Sequence, residues 1–429
     1  MKILLKNAEV LWHGDVDILV EGEFIKEIAP HGTIAADNDC RVIDCRGKML
    51  MPGLYNCHSH AAMTLFRGYG EDMPLDKWLF DKIFPAEALL TNESVYVASV
   101  FACAEMIRAG IVSFTDMYEK CDQTARAVAE TGIKANISRA VLSFDPEEKG
   151  SENSRLIEAK ALFRDFHNSS NGRVKIDMSV HAEYTNTENS FRATAEAAKE
   201  LGANMHVHLS ETASEHEECK GRRGGRTPAE FMRDCGIFDV PTTAAHCVFV
   251  SDGDLEIMRE YGVTAAHNPS SNLKLGSGIM RTSDFISHGV NVTLGTDGCA
   301  SNNRLDVFKE AYLASILDKG ITNNPGGHMA SEFLKMATEN GALSQGRSDC
   351  GAIACGKKAD IIAVDLDELH NIPKYDLSYA ALYSVTASDV TMTMCDGKIL
   401  YENGEFTTID IEKLKYDMRN TCGNYFKKA

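Results

Sequence analysis

Two different rhythms of hydrophobic and polar residues divide the chain. Near both ends, short apolar runs such as residues 16–20 and 359–364 alternate with turn residues, and Asp396-Gly397 and Asn403-Gly404 are typical hairpin turns. Neither end alone is expected to bury a core, because isolated hairpins are only marginally stable in water. We therefore predict that the two ends join into one small, discontinuous β-sandwich-like domain.

Between these ends, short apolar runs that finish in polar residues alternate with helix-like stretches such as residues 93–109 and 190–201. The predicted strands are residues 48–56, 111–116, 133–139, 174–181, 203–208, 242–246, 263–267 and 290–297. Eight βα units are typical of a closed (β/α)8 TIM barrel, whose active site lies at the carboxyl ends of the strands. The predicted fold is thus α/β, with a catalytic barrel domain at residues 56–345 and a β domain built from residues 1–55 and 346–429.

Composition narrows the classes of partner. The 429 residues are 44% hydrophobic and 25% charged, which is typical of a globular protein, and the net charge is −18. A surface this acidic repels nucleic acid and anionic lipid. No apolar run reaches the ~18 residues that a membrane-spanning helix needs. The 13 cysteines form no CxxC pair, so we expect reduced thiols and a cytoplasmic location, with no nucleic-acid or membrane partner.

Polar residues at strand ends point to a metal site. His58 and His60 follow an apolar run, and alternate residues of a strand project to one side, so both imidazoles can face one ion. His206 and His208 repeat this spacing near the fifth predicted strand. His208 is the better ligand candidate, while His206 is either a ligand or structural. Glu211 lies just beyond them, where a carboxylate can move protons beside an ion.

Two more strands end in residues that suit the same site. His246 closes the sixth predicted strand, and Asp297 closes the eighth. Imidazoles together with a carboxylate favour a borderline divalent ion, with zinc expected first and iron or manganese as alternatives. Such an ion lowers the pKa of a bound water toward ~7, so the sequence predicts hydrolytic attack on an sp2 carbon.

Seven motifs that span nearly the whole chain resemble the amidohydrolase superfamily, and specifically its methylthioadenosine/S-adenosylhomocysteine deaminase branch. They are PGLYNCHSH at 52–60, FRG at 66–68, PLDKWL at 74–79, HLSET at 208–212, AHC at 245–247, HNPSSNLKLG at 267–276 and GTDG at 295–298. The resemblance implies an aminohydrolase acting on C–N bonds of cyclic amidines. It would convert a free adenine nucleoside to the inosine product and ammonia.

The same resemblance implies roles for individual residues. The implied metal ligands are His58, His60, His208 and Asp297. His246 is implied to polarise the attacking hydroxide, Asp297 to accept its proton, and Glu211 to protonate the purine ring. The residues that match the nucleoside-binding pattern are Glu87, Arg139, Arg155, His181, Glu211 and Ser301. Arg155 resembles the arginine that meets the amino-acid carboxylate of S-adenosylhomocysteine.

Alternatives remain at this stage. Glu183 stands after His181-Ala182, where this branch usually has proline, so an acidic group could alter base preference near the purine edge or could face solvent. The alternative functions are a deaminase of guanine or 8-oxoguanine and a triazine chlorohydrolase on the same scaffold. A non-catalytic scaffold is disfavoured because the ligand set is complete. We also expect a homo-oligomer, and residues 72–84 could form a loop over the pocket.

Overall fold

The computed structural model describes residues 2–425, whose strands form two sheets. The first five strands are β1 (Lys2–Val10), β2 (Gly14–Glu21), β3 (Phe24–Pro30), β4 (Cys40–Asp44) and β5 (Lys48–Pro52). The barrel strands are β6 (Leu54–Ser59), β7 (Ile111–Tyr118), β8 (Lys134–Arg139), β9 (Val174–Val180), β10 (Met205–Leu209), β11 (Thr242–His246), β12 (Thr264–His267) and β13 (Val292–Leu294). The chain then adds β14 (Ile361–Asp365), β15 (Val390–Cys395), β16 (Lys398–Glu402) and β17 (Glu405–Phe406).

Helices cover the barrel, and polar caps begin several of them. Thr91 and Thr187 accept hydrogen bonds from backbone N–H groups of their helices' first turns. The α-helices of six or more residues are Asn92–Arg108, Cys121–Thr131, Ser154–Phe166, Glu188–Leu201, Ala213–Arg222, Pro228–Asp234, Asp252–Glu260, Pro269–Lys274, Thr282–Ser287, Val307–Thr322, Ala330–Met336, Glu339–Ser344 and Ile411–Tyr425. Among residues 2–425, none of these is long and apolar enough to span a membrane.

The eight strands β6 to β13 lie parallel and in chain order, each hydrogen-bonded to the next. The first and last strands meet where the Asp297 N–H donates to the His58 carbonyl at 2.9 Å. The Thr296 N–H likewise donates to the Asn56 side chain at 2.9 Å. These contacts close the barrel. Because its eight strands are parallel, their carboxyl ends lie at one mouth, and the predicted TIM barrel is confirmed.

The second sheet joins the two ends of the chain, as predicted. β5 pairs with β1 in parallel and with β14 antiparallel, which places the N-terminal strands beside β14 to β17. One apolar cluster takes side chains from both halves, including Ile3, Val20, Ile361 and Met394. The two ends therefore build one core that neither contains alone.

The predicted strand at residues 48–56 is divided between the two sheets. It ends as β5 at Pro52 and resumes as β6 at Leu54. The chain passes from one sheet to the other at Gly53. A Cβ at this position would lie 2.7 Å from a Val112 methyl group, so a larger residue would not fit. Residues 49–60 are all buried, so no alternation of polar side chains marks the break. The domain boundaries at residues 55 and 345 stay predictions.

A buried ion cluster connects the barrel to the second sheet. The Lys134 ammonium, at the start of β8, lies 2.5 Å from Asp360 and 2.8 Å from Asp396. The Tyr55 hydroxyl donates to Asp360 at 3.0 Å. Charges this deeply buried are tolerated because they are paired and hydrogen-bonded. The cluster therefore fixes the second sheet against the amino-terminal end of the barrel.

Candidate metal centre and active site

Three imidazoles and one carboxylate meet at the mouth of the barrel. His58 lies on β6, His60 directly follows it, His208 lies on β10, and Asp297 follows β13. The Nε2 atoms of His58 and His60 lie 3.4 and 3.2 Å from Asp297 Oδ1. Candidate donor atoms of His58, His60 and His208 lie within 4.8 Å of one another. The structure thus brings the four predicted ligands together.

The second nitrogen of each imidazole is held from behind. His58 Nδ1 lies 2.9 Å from His206 Nε2, His60 Nδ1 donates to Met117 O at 2.5 Å, and His208 Nδ1 donates to His181 O at 2.7 Å. His58 Nε2 is buried and has no hydrogen-bond partner in the described part of the chain. Histidine ligands of metals are oriented in this way, so the donor set fits a divalent cation.

Asp297 is held in its ionised form. Its backbone is in the left-handed region, at φ 60°, which turns the carboxylate back over the barrel. Oδ2 accepts from the hydroxyls of Ser271 at 2.6 Å and Ser301 at 2.9 Å. Although burial opposes ionisation, the imidazoles of His58 and His60 keep the Asp297 pKa well below its ordinary value. The site therefore retains a fixed negative charge.

His246 and Glu211 face the centre from β11 and from the loop after β10. The His246 Nδ1–H donates to Asn272 at 2.8 Å, while its Nε2 lies 3.7 Å from Glu211 Oε2. Glu211 also accepts from the Ser277 hydroxyl at 2.9 Å. Burial raises the pKa of Glu211, which favours the neutral, proton-donating form of this carboxyl group.

Sequence reasoning missed a second carboxylate that supports Glu211. Glu215 accepts the backbone N–H groups of Ser210 and Glu211, at 3.1 and 2.8 Å. Ser210 has a φ of 48°, a strained conformation for this residue, and its carbonyl accepts from Phe249 N at 2.9 Å. The spacing of four residues after Glu211, at the start of a helix, was the available signal.

A cavity of about 410 Å³ opens above these residues. Its walls include the five polar groups His60, His208, Glu211, His246 and Asp297. Leu75, Trp78, Leu79 and Phe84 line it, so part of the 72–84 segment contributes to the wall. The segment is not the loop that we predicted, because residues 75–87 are helical. A space of this size, lined by apolar side chains together with convergent polar groups, is typical of a small-molecule site.

Not all the residues predicted to bind substrate line this cavity. Glu87, His181 and Arg155 do, and burial raises the pKa of Glu87 to about 7. Arg139 does not line it and is buried between carboxylates, with Nη2 2.9 Å from Glu119 and Nε 2.7 Å from Glu158. Ser301 is also outside the lining and donates to Asp297.

Glu183 takes neither of the positions considered from the sequence. Its side chain is fully buried and forms ion pairs with Arg222 at 2.6 Å and Arg223 at 2.7 Å. The two arginines lie at and just after the end of the helix Ala213–Arg222. Glu183 therefore ties this helix to the loop after β9, and it lies neither at the cavity wall nor in solvent.

Comparisons with known proteins agree with this geometry. The chain matches the Amidohydrolase family over residues 49–400. It is 43% identical to the 5-methylthioadenosine/S-adenosylhomocysteine deaminase of Acetivibrio thermocellus, with 98% of each chain covered. It is 42% identical to the 5'-deoxyadenosine deaminase of Methanosarcina acetivorans, with 100% of this chain and 99% of the relative covered.

A solved structure extends the comparison to the whole fold. An adenosine deaminase from Xanthomonas campestris, with bound zinc, superposes with a TM-score of 0.93 at 28% identity. The similarity covers 99% of this chain and 98% of that one. With the family match spanning most of the chain, and relatives above 40% identity over almost its full length, the protein belongs to the amidohydrolase family.

Proposed function

We propose that the protein hydrolytically deaminates a free adenine nucleoside, giving the inosine product and ammonia. The observation that carries this proposal is a donor cluster of His58, His60, His208 and Asp297 that faces the buried acid Glu211 inside one cavity. The names of the two relatives and of the Xanthomonas structure support adenine nucleosides as the substrate class. The candidate substrates within this class are 5-methylthioadenosine, S-adenosylhomocysteine, adenosine and other 5'-substituted relatives.

We propose one divalent ion at this centre, held by His58, His60, His208 and Asp297. Zinc is preferred, because imidazole and carboxylate donors suit it and because the adenosine deaminase structure has zinc bound. When bound, the ion supplies a strongly acidified water at neutral pH. The buried Nε2 of His58 forms no hydrogen bond within residues 2–425, which supports this assignment because buried polar atoms rarely lack one.

The chain's own groups then divide the proton transfers. His246, fixed by Asn272, presents Nε2 to the attacking water, and Asp297 accepts the proton that the water loses. Glu211 gives its proton to the ring nitrogen beside the attacked carbon, so the tetrahedral adduct forms without net negative charge. Asp297 then passes the water's proton to the amine, and the C–N bond breaks so that ammonia leaves with the bonding pair. The hydroxyl proton of the adduct returns to Glu211 as the carbonyl of the inosine product forms. General acid and base steps of this kind contribute ~10² to 10⁴ in rate each.

The remaining cavity residues are proposed to hold the nucleoside. Glu87 can accept from ribose hydroxyls, and His181 can contact the purine edge. Arg155 lies at the wall with its guanidinium bound to Glu119 at 2.5 Å. Arg139 and Ser301 are proposed to position other residues. Arg139 pairs with Glu119, and the Ser301 hydroxyl donates to Asp297.

The first test is a substrate panel assayed by release of ammonia or chloride. We expect ammonia from adenine nucleosides such as 5-methylthioadenosine, 5'-deoxyadenosine and S-adenosylhomocysteine. Guanine, 8-oxoguanine and a chlorinated triazine represent the alternative functions. Faster turnover of any of these three than of every adenine nucleoside would refute the proposal.

The second test is Glu211→Gln, which removes the proposed acid but keeps its size. The variant should retain its metal and lose ~10² to 10⁴ in kcat. Glu217→Gln is the matched control, because Glu217 is 69% exposed and pairs only with Lys220 in the described structure. A Glu211→Gln variant with the control's rate would show that Glu211 does not transfer the proton.

A further inference from the structure

A charged network lies at the cavity wall beside the end of β7. Glu119, the first residue after this strand, lines the cavity together with Lys120 and Arg155. One Glu119 oxygen lies 2.5 Å from Arg155 Nη1, and the other lies 2.9 Å from Arg139 Nη2. A single carboxylate therefore pairs with two guanidinium groups. We call Glu119, Arg139 and Arg155 the Glu119 network.

The network lies across the barrel mouth from His246. In the strand order β6 to β13, β7 is four positions from β11, which carries His246. Strands four apart in an eight-stranded barrel lie on opposite sides. Glu87 lines the same cavity.

This placement relates the network to one part of a nucleoside. The inference rests on the proposed function, in which the reacting base lies at the metal centre. The group on the 5' carbon is the part of a nucleoside most remote from that reacting carbon. We infer that it extends toward the end of β7, where Glu119 and Arg155 line the cavity; Leu142 and Phe144 are among the apolar residues that line the same cavity.

An unoccupied arginine at this end would favour a phosphate. Guanidinium groups bind phosphate through paired N–H donors, and Lys120, which has no ion pair in the described structure, would add a second cation. Glu119 instead engages the guanidinium groups of both Arg155 and Arg139. A dianionic 5' group would have to displace the Glu119 carboxylate from these guanidinium groups before it could bind them.

We propose that Glu119 is a specificity-determining residue that excludes nucleotides carrying a 5'-phosphate. It does so by occupying the guanidinium groups of Arg155 and Arg139, so that their N–H donors are not free to bind a phosphate. An uncharged 5' group needs no free guanidinium, and the zwitterionic 5' group of S-adenosylhomocysteine brings its own ammonium, which can pair with Glu119. The site thereby discriminates between free nucleosides and nucleotides that have the same base.

The test compares 5'-deoxyadenosine with adenosine 5'-phosphate in the wild type and in Glu119→Gln. The wild type should deaminate 5'-deoxyadenosine and discriminate strongly against the phosphate. In Glu119→Gln, the ratio of kcat/KM for the phosphate to that for the deoxynucleoside should rise at least about tenfold, mainly through tighter binding of the phosphate and hence a lower KM. Adding Arg155→Met to this variant should reverse the gain.

Glu158→Gln is the matched control. Glu158 also pairs with Arg139, but it is 59% exposed and does not line the cavity. Its removal changes the net charge equally and should leave the substrate ratio unchanged. An equal rise in both variants, or no rise in Glu119→Gln, would overturn the role of Glu119 while leaving the proposed function intact.

A measurement on the wild type tests the proposal even if Glu119→Gln is unstable. Adenosine 5'-phosphate should inhibit deamination of 5'-deoxyadenosine only weakly, with an inhibition constant at least about tenfold above the Michaelis constant for the deoxynucleoside. Tight inhibition by the phosphate would overturn the inference. Wild-type enzyme that deaminates no adenine nucleoside would instead overturn the proposed function.

Discussion

A methyl group added at Gly295 would press directly on the candidate metal centre. Gly295 lies between β13 and Asp297, and its N–H donates to the His267 carbonyl at 2.9 Å. A Cβ there would lie 2.7 Å from His58 Cβ and 2.9 Å from His58 N, with the Asn268 amide closer still. Close approach of the two strands, and not an unusual φ, therefore requires glycine.

The residues around Gly295 cannot easily move to relieve this clash. The His58 carbonyl accepts from Asp297 N, and its ring is held by His206, so the residue cannot retreat without moving β6. Overpacking of this kind costs about 1–3 kcal/mol. Because the pressure falls on a proposed ligand, we expect this cost to appear in metal affinity, which corresponds to about 5- to 150-fold weaker binding.

The assay measures bound zinc by elemental analysis after dialysis against graded chelator, together with the rate of ammonia release. Gly221→Ala is the matched control, since a Cβ at this helical position meets nothing within 4 Å. That control should keep its metal and gain about 0.4–1 kcal/mol in stability. If Gly295→Ala holds zinc as tightly as Gly221→Ala and turns over equally fast, the packing argument is wrong.

Two further variants test the support of the site and the pH dependence of folding. Glu215→Gln loses one of the two acceptors that hold Ser210 and Glu211, so kcat should fall at least about tenfold at unchanged metal content; an unchanged kcat would contradict this. Burial lowers the His267 pKa to about 3, below the ordinary 6.5 of the unfolded chain, so the native state binds fewer protons between these values. Stability should therefore fall as pH falls from 6.5 toward 3, and urea unfolding of His267→Asn should show a shallower fall. An identical pH dependence in both proteins would refute the assignment.

The predicted ligands could be found from the sequence because their signals are local. Strand ends in a barrel share one mouth, so His58, His208 and Asp297 could be grouped without any knowledge of their contacts. The strand containing His246 was predicted with its observed bounds, since Thr242–His246 is a short apolar and small-residue run that ends in a polar one.

The rest depends on contacts between distant segments. Nothing around Glu183 indicates that its partners are Arg222 and Arg223, about 40 residues later. The wall position of Arg155 and the withdrawn position of Arg139 likewise follow from Glu119, which belongs to a different strand end. Side-chain pairing across elements sets these orientations, and spacing along the chain does not encode it.

The pairing of β5 with both β1 and β14 has a consequence for synthesis on the ribosome. β5 emerges about 300 residues before its antiparallel partner β14, so its edge stays open while the whole barrel is translated. An exposed edge of this kind is a template for pairing with other chains. The nascent protein therefore passes through a long interval in which it is prone to aggregate, and that interval closes only when the last strands arrive.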